Sequence, residues 1–282
     1  MLAVLLAAAS SLGYGVADFV GGLASRRDTM LRVLVVTAPV SLVVEVLLLP
    51  LVSGRWSAAA LGWGALAGVA SAVAFALLYQ SLAMGPMGVL SPVTAVISAV
   101  VPAAVGLAEG ERLNAIGVAG IGLAIAAVIA VSAGSGEDGT ERHRRPSAAA
   151  LSLAVVAGVT IGAMLVFLAR SPHDSGLAPL ISCRAVSMVV LLGAAALRRQ
   201  LALPGRSAVW LAAGAGLFDA LGNVAFLIAV RSGSLVVVAV ITALYPGGTV
   251  LLARRFLGER LTRTQLAGLA AAAVAVSVLA VS

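Results

Sequence analysis

The sequence predicts an all-α integral membrane protein of ten transmembrane helices, arranged as two inverted five-helix repeats. Three observations carry this. Hydrophobic residues make up 61% of the 282-residue chain and charged residues only 10%, where a soluble domain is nearer half apolar and a quarter charged. Mean hydropathy is +1.13. The tetrapeptide Gly110-Glu111-Arg112-Leu113 recurs as Gly258-Glu259-Arg260-Leu261, 148 residues later. The same offset superposes Gly85 on Gly233, Thr94-Ala95 on Thr242-Ala243 and Ala119-Gly120 on Ala267-Gly268 without a gap. In alanine-rich sequence some matches are chance, but a charged tetrapeptide in phase marks a copied unit.

A helix crosses ~30 Å of hydrocarbon with roughly 20 apolar residues. Ten runs qualify. In the first unit they cover about Leu2 to Ala24, Leu31 to Val52, Ala58 to Ala83, Val89 to Ala108 and Ala115 to Ala133. In the second they cover about Ala148 to Ala169, Leu177 to Leu197, Ala208 to Val230, Leu235 to Ala253 and Leu266 to Val281. Arg26-Arg27-Asp28, Gly54-Arg55 and Gly85-Pro86 end the first three. The longest polar stretch lies between the fifth and sixth runs and reads as a linker. The domains are therefore a first repeat at 1–133, a polar linker at 134–147 and a second repeat at 148–282. An odd number of crossings makes the second copy enter from the opposite side, as in secondary transporters with a midplane site. The runs are too long, and alternate too little, for a β-barrel. Met1 leads directly into an apolar run, which reads as a retained first span rather than a signal peptide.

The net charge is +7, and all 18 basic residues are arginine. Nucleic acid is not the partner they suggest. They gather at the ends of apolar runs, where they meet lipid headgroups. Odd-numbered connections hold 13 of them and even-numbered ones 4, which puts both termini outside the cell by the positive-inside rule. One cysteine, Cys183, permits no internal disulfide, and with two histidines it makes no metal site. No cofactor motif is present, and there is no lysine for a nucleotide-binding loop. A membrane-embedded enzyme would need a Ser/His/Asp, Cys/His or metal constellation, and none is suggested. A sensor or accessory partner would carry a soluble domain or long tail.

Four ionisable residues stand well inside spans: Asp18, Glu45, Arg184 and Asp219. Such groups are costly in lipid and face the bundle interior. Asp18 follows Gly13-Tyr14-Gly15 and could bind a cation, a proton or a substrate amine. Asp219 and Asn223 are four apart, on one helical face, and the repeat sets Asp219 opposite Ser71. Arg184 could take a carboxylate or phosphate, or pair internally with Asp219, Asp18 or Glu45. Glu45 could carry a proton or tie helices together. Tyr14, Tyr79, Gln80 and Tyr245 are uncharged candidates for lining a substrate or proton cavity; Thr94 and Thr242 match across the repeat and suit an interface. Pro246-Gly247-Gly248 should kink or break the ninth span, and Pro92 and Pro102 the fourth. The Glu-Arg pairs of the repeated turn are explained by helix capping.

This pattern resembles the drug/metabolite transporter superfamily, in its ten-span branch with two EamA-type repeats. The paired Gly-Glu-Arg-Leu turns, Pro246 thirteen residues before Glu259, and Tyr14-Gly15 carry the resemblance. Two positions depart from it: Ser98 stands where the repeat would set a proline, and Tyr14 where tryptophan is common. The resemblance implies a multi-pass transporter of the plasma membrane, monomeric or homodimeric, working in the lipid bilayer on a small-molecule substrate. Members handle amino acids, drugs, sugars and other metabolites, and are drawn with both termini in the cytoplasm, against the arginine count. The expected activity is export of a small metabolite, amino acid or drug-like compound by alternating access, with proton coupling through Asp18 or Asp219. Import or facilitated passage of a sugar or nucleoside is the alternative.

Overall fold

The computed structural model describes residues 1–52, 54–84, 87–111, 114–133, 147–257 and 263–279. All but Ser147 of the expected linker, Arg112-Leu113 of the first repeated turn and the whole of the second lie outside the described residues. Regular structure among the described residues is helical. In chain order come α1 (Leu2–Ser25), α2 (Met30–Leu48), α3 (Ala58–Met84), α4 (Met87–Ala108), α5 (Ala115–Ala133) and α6 (Ala148–Ala169). Then follow α7 (Ala178–Leu197), α8 (Arg206–Ser232), α9 (Leu235–Thr242), α10 (Pro246–Leu257) and α11 (Arg263–Leu279). Short 3₁₀ turns at Leu49–Leu51 and His173–Ser175 close α2 and precede α7.

Six of these segments are long and apolar enough to cross a membrane: α1, α2 with its 3₁₀ turn, α3, α6, α7 and α8. The remaining apolar stretches are shorter over the described residues: Val93–Ala108, Ala115–Ala130, Leu235–Thr249 and Leu266–Ala275. The outer surface is rich in large apolar side chains, among them Leu5, Leu12, Val43, Leu47, Val69, Val189, Trp210 and Leu221. A surface of that kind is stable in lipid, not water.

Local chemistry sets the helix ends. Ser147 caps α6 by accepting from the Ala150 N–H, and Ser234 caps α9 by accepting from Val237. Asn114 does the same for α5 through the Gly117 N–H at 2.7 Å. At the end of α4, Gly110 adopts φ +94°, open to glycine at little steric cost. Its N–H reaches Leu107 O, and the Glu111 N–H reaches Gly106 O. That pair of bonds is a Schellman closure, and it is why a glycine precedes the glutamate in this turn.

Proline acts differently in the two units. The second unit breaks as expected. The chain leaves α9 at Thr242, turns through Ala243–Tyr245 and restarts with Pro246 as the first residue of α10. Proline suits that position because the first N–H of a helix has no partner, and it disfavours helix in the residue before it. In the first unit no break occurs: α4 runs from Met87 to Ala108 through both Pro92 and Pro102. Ser98, opposite Pro246 in the repeat, keeps its amide, and its hydroxyl bonds Ala95 O at 2.9 Å. Pro102 removes a single N–H, and no glycine pair follows it.

Packing is ordered. α1 lies along α8 as α3 lies along α6; α2 meets α8 as α7 meets α3. α4 lies against α6, and α1 against α9 and α10. α2 with α7, α4 with α9, and α5 with α11 pair each helix with its own counterpart. Small residues permit these approaches. A side chain at Gly68 of α3 would strike Cys183 O and Val186 of α7, and one at Gly216 of α8 would strike Thr37 O and Val40 of α2. Gly68 and Gly216 are themselves 148 residues apart. Apolar clusters fill the interior, one around Leu168, Leu180, Phe226 and Ile241, another around Leu34, Leu78, Tyr79 and Leu191.

Candidate functional site

Along α3, Ala67 belongs to the first apolar cluster and Leu78 to the second. Between them Ser71 and Phe75 face a polar group that no lipid contact could satisfy. Its centre is Arg184 of α7, 3% exposed. The guanidinium Nε donates to Glu45 Oε1 of α2 at 3.1 Å. Nη1 reaches Ser71 Oγ at 3.4 Å. Nη2 stands 2.5 Å from Asp219 Oδ2 of α8, as an ion pair without hydrogen-bond alignment. The ring of Phe75 lies 5.8 Å from the guanidinium carbon, a cation–π distance. Four helices thus converge on one planar cation.

The network continues from Asp219. Ser41 Oγ sits 3.0 Å from Asp219 Oδ2 and 2.8 Å from Gly216 O. Asn223 Nδ2 donates to Asp219 Oδ1 at 3.0 Å and to the Asp219 carbonyl at 2.8 Å. Tyr14 of α1 then donates its hydroxyl to Asn223 Oδ1 at 2.9 Å. Of the sequence candidates, Glu45, Arg184, Asp219, Asn223 and Tyr14 form one connected chain across α1, α2, α7 and α8. Glu45 is fully buried, and its Oε2 has no hydrogen-bond partner among the described residues.

Asp18 is buried as well, at 7% exposure, but stands apart. It makes no hydrogen bond or ion pair among the described residues. Asp219, Tyr79 and Tyr245 lie within its electrostatic reach. Three residues before it, Gly15 passes the break in the second unit so closely that a Cβ there would meet Tyr245 O at 2.6 Å. Thr249 ties the crossing by donating to Gly15 O at 3.2 Å. Three residues after Asp18, the backbone at Gly21 leaves room for the Tyr79 hydroxyl and no side chain of its own. Asp18 therefore sits on α1 between a tyrosine of α3 and the broken helix of the second unit.

The other candidates fall as follows. Tyr245 is buried and reaches Ser91 O at 3.4 Å. Gly248 lies against Gly15, and Gly247 near Leu269. Gln80 is exposed, on the face of α3 away from the ion network. Thr94 binds α4 to α6 through Ala154 O at 3.1 Å, whereas the buried Thr242 hydroxyl has no partner among the described residues. Ser41, Ser71 and Phe75 were not singled out by sequence reasoning. Spacing held the signal: Ser41 precedes Glu45 by one helical turn, and Ser71 is the repeat counterpart of Asp219. The two counterparts face the same guanidinium.

These features define a multi-pass membrane protein whose apolar helices close over a buried ion network. The chain carries, over residues 148–281, a match to the model of the EamA-like transporter family, a domain of the drug/metabolite transporter superfamily. It is accordingly a transporter of the lipid bilayer, acting on a small-molecule substrate. A solved crystal structure of a protein 14% identical in sequence matches with a TM-score of 0.72, over 99% of this chain and 97% of its own. At that identity the likeness speaks for the fold alone. No curated protein matches the chain.

Proposed function

We propose that this chain is a secondary transporter of the plasma membrane that exports a small metabolite, amino acid or drug-like compound by alternating access. Its ten crossings form two five-helix units of opposite topology, with α9 and α10 together making one crossing. Support comes from the 148-residue repeat and from the main packing contacts: exchanging α1–α5 with α6–α11 turns α1 on α8 into α6 on α3, α2 on α8 into α7 on α3, and α4 on α6 into α9 and α10 on α1.

The observation that carries the mechanism is the unequal state of two buried aspartates. Asp219 is paired with Arg184 and hydrogen-bonded by Ser41 and Asn223. Asp18 has no such partner among the described residues. Among the described residues, the buried groups named above, Asp18 included, comprise three carboxylates and one guanidinium, an excess of negative charge. Unpaired charge in a low-dielectric interior is costly. A proton or a cationic group of the cargo removes that cost at Asp18, and giving it up restores the cost. Asp18 is thus the coupling residue, beside the break where the substrate site of such transporters lies. Arg184, Glu45 and Asp219 hold the helices around it.

The test is solute uptake into proteoliposomes under an imposed pH gradient, over a panel of amines, amino acids and sugars. A gradient should drive flux in the parent protein, and Asp18→Asn should lose that drive. Equal flux without a gradient, unchanged in Asp18→Asn, would exclude proton coupling and favour a facilitator.

A further inference from the structure

At one end of the bundle, Glu111 does more than finish its own turn. Its carboxylate, half-buried, reaches across to the second unit. Oε2 accepts from the Ser234 hydroxyl at 2.5 Å and from the Val236 N–H at 3.1 Å, and Oε1 accepts from the Leu235 N–H at 3.0 Å. The first free amides of α9 are thus held by an anion belonging to the α4–α5 turn. Charge-assisted bonds at a positive helix end are among the stronger polar contacts available.

The helix so held is unusual. α9 has eight residues and stops at the Ala243–Tyr245 turn. So short a helix does not stand alone, and the break uncouples it from α10. What fixes its start therefore fixes the turn, including Tyr245 against Ser91 and Gly15.

The same end is joined elsewhere. Arg170 bonds Glu109 Oε1, and Arg231 donates to Pro172 O, Gly176 O and Ser175 Oγ. The Arg55 N–H reaches Asp174 O at 2.8 Å. Arg170 and Glu109 are 44% and 49% exposed, and an exposed pair contributes little. Of these two carboxylates, Glu111 makes the more shielded contact between units.

We propose that Glu111 is a positioning residue that latches α9 to the first unit and keeps this end of the bundle closed, so that opening here requires the carboxylate to release Ser234, Leu235 and Val236. This rests on the transporter reading above, but its test needs no solute. Spin labels at Ile116 of α5 and Ser232 of α8 report the separation of the units at this end, both positions being exposed. In purified protein, Glu111→Ala should move the closed-to-open ratio roughly tenfold toward longer distances, the loss expected for bonds to a charged group. Glu111→Gln, keeping one acceptor oxygen, should move it less, and Ser234→Ala less again. Arg170→Ala should leave it within about twofold. A Glu111→Ala distribution matching the parent overturns the latch. So does an Arg170→Ala shift of equal size, which would assign closure to the whole end. Should Glu111→Ala fail to fold, Glu111→Gln and Ser234→Ala decide: unchanged distances in both sink the idea. Absence of transport in liposomes would count against the function and leave this measurement readable.

Discussion

Asp219 and Asp18 are both aspartates buried in a lipid-facing bundle, and the molecule treats them in opposite ways. Asp219 has a guanidinium, a serine and an asparagine around it. Asp18 has glycines before and after it and tyrosines within reach of its charge. The contrast teaches that depth alone does not make an acidic residue functional. Under the proposed function, the partnered charge ties helices together, and Asp18, without a partner among the described residues, is the one that takes up a proton or cationic cargo. The two regions should therefore respond oppositely to neutralisation.

The largest effect is expected at the partnered end. Arg184→Ala strands Glu45 and Asp219 without a cation, and should cost about 3–5 kcal/mol, as for other broken buried pairs. Thermal unfolding in detergent measures this; a variant as stable as the parent would show that the network does not hold the bundle. Restoring balance with Arg184→Met, Glu45→Gln and Asp219→Asn together should recover much of the loss. Asp18→Asn should go the other way, leaving unfolding temperature unchanged or higher, because an unpaired buried charge is removed. A clear fall in stability would reveal a structural partner for Asp18 and erase the contrast.

Smaller is the effect of Asn223→Ala. It deletes the link from Tyr14 to Asp219, and removing a buried hydrogen-bond partner costs about 1–3 kcal/mol. The loss should shrink when Tyr14→Phe is already present, since the two share one bond; additive losses would mean that the link is not made. The smallest effect lies outside the bilayer, at Asp28. The Thr29 and Gly205 N–H groups and Arg32 hold its carboxyl below the usual carboxylate range. A group whose folded pKa is depressed stabilises the fold above its unfolded pKa, about 3.9, and loses this as pH falls through the folded value. Asp28→Asn should therefore narrow the stability difference between neutral pH and pH 3 slightly, and a difference as large as the parent's would discount these bonds.

Much of this was legible in the residues. Long apolar runs specify helices in lipid because no other backbone arrangement satisfies its own hydrogen bonds there. The pairing of Tyr14, Asn223, Asp219, Arg184 and Glu45 was legible only as a set of candidates. Residues on different helices share no periodicity, so their meeting depends on packing that spacing does not encode. Arg184 had three acidic partners available to it on paper; the fold picks Glu45 and Asp219 and leaves Asp18. Pro92 and Pro102 do not break α4, for a local reason. A proline inside a long, well-packed helix removes one bond, and neighbours hold the rest. Pro246 works with Gly247 and Gly248 behind it. Gln80 has the right chemistry, yet its exposed side of α3 lies away from the polar interior.

The interruption before Pro246 has a consequence for how the two units can move. α9 is fastened at its start to the α4–α5 turn, while α10 rests on α1 through Gly15, Gly248 and Thr249. One crossing is thereby shared between two escorts. Both escorts belong to the first unit, so the proposed rocking of the units as solid blocks would have to release both attachments, or leave this crossing travelling with the first unit.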